Sequence, residues 1–227
     1  MLTKFGAIIT DGRGKVGSFY IGKNHYGTYL AEWVVPANPQ TTFQQARRAQ
    51  MSFLTSNWAS LNDDQRNLWI AETANYPRTN SIGNTYYLTG QTLYITLNLN
   101  LWLCGQVFID VPGTKVNPPS AGRFTMVATA SIAELLITFD DGITGAETFW
   151  VAYLTDGLSP GINYVSTKYR SAYVQAADGF TSVDITAAWL ALYPTPIPGR
   201  KVFCKIIVYD ATCGNSSIEW SASSIIG

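Results

Sequence analysis

Charge is scarce in this sequence. Lys, Arg, Asp and Glu make up 13% of its 227 residues, about half the share usual for a soluble globular domain. A surface so thinly charged is hard to keep soluble as a free monomer. The reading we adopt is that neighbouring subunits cover much of it; the alternative is a polar surface built from Thr, Ser, Asn and Gln. Histidine is scarcer still. The single His25 lies in a glycine-flanked turn, and no nucleophile and orienting acid are gathered around it in sequence. Cysteines stand only at 104, 204 and 213, an odd number without metal-ligand spacing. Cys204 and Cys213 could meet across a hairpin, but reduced thiols are expected. No uninterrupted apolar run of about 18 residues is present, so no membrane span is expected. The opening MLTKFGAIIT also lacks the pattern of a cleaved signal.

What charge there is falls unevenly. Residues 1–117 carry nine Lys/Arg against six Asp/Glu, and residues 118–227 carry six against nine. The surplus of three in each half could help copies stack head to tail, and is too weak to imply nucleic acid as a specific partner. The paired carboxylates Asp63-Asp64 and Asp140-Asp141 sit at a helix start and a hairpin turn, which explain acidic residues without catalysis or calcium. Gly12-Arg13-Gly14-Lys15-Val16-Gly17 lacks the order of a phosphate-binding loop and reads as tight β-turns. Tyr164, Tyr169, Tyr173, Trp189 and Tyr193 form a dense aromatic set, readable as core and interface packing or as a sugar-binding face. No cofactor or metal is expected.

The apolar pattern divides the chain. Short strands broken by glycine turns are expected over residues 5–35, with Phe5–Thr10, Val16–Ile21 and Tyr29–Val35 as candidates. They are too small for an independent core. Thr41 and Thr42 can cap a helix over 42–58, whose apolar stripe includes Phe43, Phe53, Leu54 and Trp58. Asn62 and Gln65 form a capping box for a second helix carrying Leu68 and Trp69, ended by Pro77. The two would make an antiparallel hairpin, its core formed by Phe43, Phe53, Trp58 and Trp69. Residues 91–104, QTLYITLNLNLWLC, alternate as a strand does and also fit a helix; their length favours helix. Pro112-Gly113 and Asn117-Pro118-Pro119 mark a linker over 106–120. Beyond it, strands at Phe124–Ala130, Leu135–Phe139, Thr148–Tyr153, Tyr169–Val174, Lys201–Tyr209 and Ile218–Ser223 have the rhythm of a β-sandwich, with a helical turn near Thr186–Tyr193.

Several motifs carry a resemblance. Gly14-Lys15-Val16-Gly17, Asn38-Pro39-Gln40-Thr41-Thr42 with Gln45 and Arg48, and Trp58, Leu61, Asp64-Gln65-Arg66 and Trp69 come first, followed by Gly83-Asn84, Gly90 and Leu93-Tyr94. Over about residues 10–104 the chain resembles structural proteins of tailed bacteriophages. Residues 118–227 are similar to a fibronectin type III or immunoglobulin-like sandwich, with Phe203 where a tyrosine corner would be expected. The resemblance implies a non-enzymatic virion component, made in the host bacterial cytoplasm: an auxiliary or decoration protein of the head, or a connector or fibre-base protein. Its partners would be major capsid, portal or connector subunits and copies of itself. A host glycan bound through the sandwich is the alternative. The expected organisation is an α+β assembly region at 1–105, with short strands, a helical hairpin and a third apolar helix. The linker at 106–120 and the all-β sandwich at 121–227 follow. Interface roles are expected for Arg13, Lys15, Lys23, Tyr94, Leu97, Leu101 and Trp102.

Overall fold

A computed structural model describes residues 13–24, 27–35, 38, 40–80, 83–130, 134–193 and 196–227. The expected strand Phe5–Thr10 and the residues Asp11, Gly12 and His25 lie outside them. Helices and antiparallel sheets are mixed, an α+β arrangement. The chain divides into two compact units, Met1–Ala46 and Arg47–Gly227.

The first unit contains a three-stranded antiparallel sheet, β1 (Gly14–Val16), β2 (Phe19–Asn24) and β3 (Gly27–Glu32), in sequence order. Helix α1 (Thr42–Ser60) begins in this unit and runs into the second. The Thr41 hydroxyl accepts from the Gln44 amide at 3.3 Å, which satisfies one of the free donors of its first turn.

In the second unit α2 (Asp63–Glu72) starts with a complete capping box: Asn62 Oδ1 accepts from Gln65 N at 2.8 Å, and Gln65 Oε1 accepts from Asn62 N at 3.0 Å. Arg66 reaches back to donate to the Ala59 carbonyl at 2.6 Å, closing the end of α1. The short strands β4 (Arg78–Thr79) and β5 (Thr85–Tyr86) pair before α3. Residues 90–103 are helical, α3 (Gly90–Leu103). Its end is sealed by Gly105 N donating to Trp102 O and Gln106 N to Leu101 O. Leu54, Leu61, Trp69, Leu93, Tyr94 and Leu97 form the helical core. Trp58 and Trp69 are linked through a third ring: Tyr94 lies 5.5 Å from the first and 5.3 Å, edge-on, from the second.

The two asparagines of the apolar helix each hold a backbone. Asn98 is fully buried; its amide donates to Tyr94 O and Ile109 O, and its oxygen accepts from Ile109 N at 2.9 Å. Asn100 donates to Gly214 O at 2.8 Å. Buried polar groups are tolerated when paired in this way.

Residues 106–120 are a bound strap rather than a loose connection. Trp69 Nε1 donates to Asp110 O at 2.9 Å, Lys115 Nζ to Asn75 O at 2.7 Å, and Asn215 Nδ2 to Val116 O at 2.8 Å. These bonds tie the helices to the sheets, and the compact division accordingly falls at 46/47 instead of within 106–120.

Among the described residues seven strands follow: β6 (Phe124–Thr129), β7 (Glu134–Phe139), β8 (Thr144–Leu154), β9 (Arg170–Asp178), β10 (Ser182–Asp184), β11 (Lys201–Asp210) and β12 (Trp220–Ile225). They form a three-stranded sheet, β10-β7-β6, and a four-stranded sheet, β12-β11-β8-β9, all neighbours antiparallel. Both sheets contribute to one core that includes Leu135, Ile137, Trp150, Leu154, Cys204 and Ile206. The short helix α4 (Thr186–Leu192) connects β10 in one sheet to β11 in the other and buries Trp189.

The β11–β12 turn is where helices and sheets meet. Asp210 Oδ1 accepts from Thr212 N and Cys213 N, each at 2.9 Å, and from the Thr212 hydroxyl. Gly214, at φ +70°, presses on α3: a Cβ there would stand 2.3 Å from Leu97 O. Gly214→Ala is therefore expected to destabilise the chain by about 2–4 kcal/mol, combining left-handed strain with a backbone clash. An unchanged thermal midpoint would refute the close approach.

Asp210 also sets an acid limit. Burial pushes its carboxyl up, but the donations from Thr212 and Cys213 outweigh burial and hold it below its ordinary value. A depressed folded pKa stabilises above the unfolded value and is lost as pH falls through the folded one. Asp210→Asn should thus lower the melting temperature at about pH 7 and narrow its gap to wild type near about pH 3. A gap of equal size at both pH values would show that the charge contributes nothing.

Candidate interaction surfaces

Strand alternation sorts the first unit's small sheet into two faces. Lys15 pairs with Tyr20 and Tyr20 with Ala31, while Gly22 pairs with Tyr29. On this face Tyr29 lies across Gly22, where a Cβ would come within 2.5 Å of the ring. Trp33 adds a third ring, 6.3 Å from Tyr20, with Lys15 Nζ 5.0 Å above it. The opposite face carries Val16, Phe19, Ile21 and Leu30. Val16 is 59% exposed and Phe19 46%. Among the described residues of the three strands, only Gly22 is buried. Among the described residues, this sheet has apolar groups on both sides.

The expected interface residues divide. Arg13 directly precedes β1 and is exposed, Lys15 belongs to the aromatic face, and Lys23 projects from the aliphatic face. The three basic residues do not form one patch. Tyr94, Leu97 and Leu101 are buried within the chain, which corrects their interface assignment: the face of α3 that carries them is covered by the chain's own helices, strap and sheet. Trp102 is half-buried, with Phe108 at 5.0 Å and Phe53 at 5.7 Å. The hairpin stripe is corrected in part. Trp69 is fully buried and Trp58 half-buried, but Phe43 is 59% exposed and Phe53 46%. On α1 only Leu54 is buried.

A second surface, unforeseen from the sequence, is the outer face of the four-stranded sheet. Leu103 and Cys104 at the end of α3 cover Phe149, Val151, Ile207 and Tyr209 there. The other half stays open and is lined by Tyr169, Phe203, Lys205, Ser221 and Ser223. Tyr153 joins the halves, its hydroxyl 2.8 Å from that of Tyr209 and its ring 5.4 Å from Lys205 Nζ. A signal was available: β11 is apolar at Ile207 and Tyr209 as well as at Ile206 and Val208, the mark of a strand covered on both faces.

Of the aromatic set, Trp189 and Tyr193 are buried, Tyr173 packs on Trp150 at 5.4 Å, and Tyr164 and Tyr169 border the open half. Asp63 and Asp64 occupy the first turn of α2, and Asp140 and Asp141 the exposed turn after β7. Among the described residues, no group of His, Cys, Asp and Glu is placed to hold a metal ion, and no helix is long and apolar enough to cross a membrane. No family model matches the chain, and no curated protein matches it.

All three cysteines are free and buried. Burial pushes the Cys104 thiol up to about 12 and raises Cys204 and Cys213 as well. A thiol so far from its thiolate form is a poor nucleophile. A disulfide-exchange reagent at about pH 8 should titrate none of them promptly in the folded chain and all of them in denaturant. Prompt labelling of Cys104 would show that α3 lifts off the sheet.

Proposed function

We propose that this chain is a non-enzymatic structural protein of a bacteriophage particle, engaging neighbouring virion subunits through the β1–β3 sheet. The observation that carries the reading is the exposure of apolar side chains on both faces of that sheet. A small sheet needs a covered hydrophobic face for independent stability, and each large apolar side chain taken from water contributes about 1.5–3 kcal/mol. A sheet whose described residues expose apolar groups on both faces is suited to contact with lattice neighbours, and the low overall charge fits the same role.

The motif resemblance of the first hundred residues supplies the particle. Capsid, portal or connector subunits and further copies of the chain are the proposed partners, and the virion is the proposed location. The seven strands fit the second half of the reading, an immunoglobulin-like or fibronectin type III-like sandwich. Its support is the split into sheets of three and four antiparallel strands around one core. Phe203 still occupies the place of the expected tyrosine; the hydroxyl that reaches a backbone carbonyl nearby is that of Tyr193, 3.3 Å from Leu154 O.

Mass spectrometry of purified particles tests the proposal, with the chain expected at stoichiometric levels. The double variant Val16→Ser/Phe19→Ser should reduce incorporation about tenfold or more while changing the stability of the isolated chain by only about 0.5 kcal/mol. Absence of the chain from particles, or normal incorporation of the variant, sinks the reading.

A further inference from the structure

The fifteen residues 155–169 join β8 to β9. Connections of this length without regular structure are uncommon in compact domains and are often functional. This one is anchored at its base. Thr155 N donates to Phe203 O at 3.0 Å, and the Thr155 hydroxyl accepts from Phe203 N at the same distance. Leu158 and Lys201 exchange both backbone bonds, at 2.9 and 2.8 Å. The loop stands over the open half of the four-stranded sheet and encloses a groove of about 250 Å³ with β11 and β12.

The chemistry of the groove is specific. Lys205 Nζ lies 2.9 Å from Glu219 Oε2 and within 5.4 Å of the Tyr153 and Tyr169 ring centroids. Three partners hold the ammonium, so little motion is lost when a ligand engages it. The ion pair cancels its own charge. An anion would meet Glu219, a cation would meet Lys205, and an apolar ligand would strip water from both without replacing its bonds. What remains is a fixed set of donors and acceptors, with the Ser221 and Ser223 hydroxyls alongside. Tyr164, 81% exposed, adds a ring at the groove wall. Tyrosine offers a large rigid contact at low entropic cost.

We propose that this groove binds an uncharged saccharide, its C–H face against Tyr164 and its adjacent hydroxyls on the Lys205–Glu219 pair. The groove shares no lining residue with the β1–β3 sheet, and the proposal stands or falls independently of virion incorporation. In the bound state Lys205 donates to one sugar oxygen, Glu219 accepts from the neighbouring hydroxyl, and the serines complete the polar rim.

The test is binding of the full chain to an array of printed neutral bacterial polysaccharides and oligosaccharides, with immobilised extended peptides as control. Wild type should bind one saccharide class, and Tyr164→Ala and Glu219→Gln should each weaken that binding about tenfold or more. Both side chains are exposed, so both variants should melt as wild type does. The Val16→Ser/Phe19→Ser variant should bind normally. Background signal across the array, undiminished binding by Tyr164→Ala, or preference for the peptides would overturn the assignment.

Discussion

The arrangement of the second unit turns on one close approach, the backbone of α3 against the turn between β11 and β12. Gly214 can lie on the Leu97 carbonyl because it has no side chain, and Asn100 fastens the two by donating to the Gly214 carbonyl. The turn resists this pressure because Asp210 gathers donors from Thr212 and Cys213. An otherwise apolar helix is thereby fixed in register on a sheet, with polar groups defining position and apolar area supplying most of the free energy.

From that seating follows the division of the four-stranded sheet's outer face. The end of α3 covers Val151 and Tyr209, leaving Lys205 and its neighbours beside the long loop. Tyr153 belongs to both halves through the Tyr209 hydroxyl and the Lys205 ammonium. The same strands thus serve a core on one side and two different environments on the other.

Local signals were legible in the sequence wherever a short-range bond decides. The caps at Thr41 and at Asn62–Gln65 appear where their spacing predicts them, and the alternation within Lys201–Tyr209 marks β11. The three-residue β10 was too short to leave a pattern. Partners across the chain were harder to read. Tyr94, Leu97 and Leu101 advertise burial, but composition does not say whether the cover is another subunit or the chain's own sheet. The prolines of 106–120 signal extended backbone and are silent about Asn98, Trp69 and Asn215, the side chains that bind it. Phe43 and Phe53 fit a helical stripe, yet α1 buries only Leu54. The groove depends on loop 155–169 folding beside β12, a long-range placement that no spacing encodes.

The bonds along residues 109–116 also have a mechanical consequence. Pulling the helices away from the sheets would load two routes at once, the covalent strap and the noncovalent seat of α3 on Gly214. The strap is gripped near its start by Asn98 and Trp69 and near its end by Lys115 and Asn215. Tension along the strap is shared among these bonds before any one peptide segment straightens.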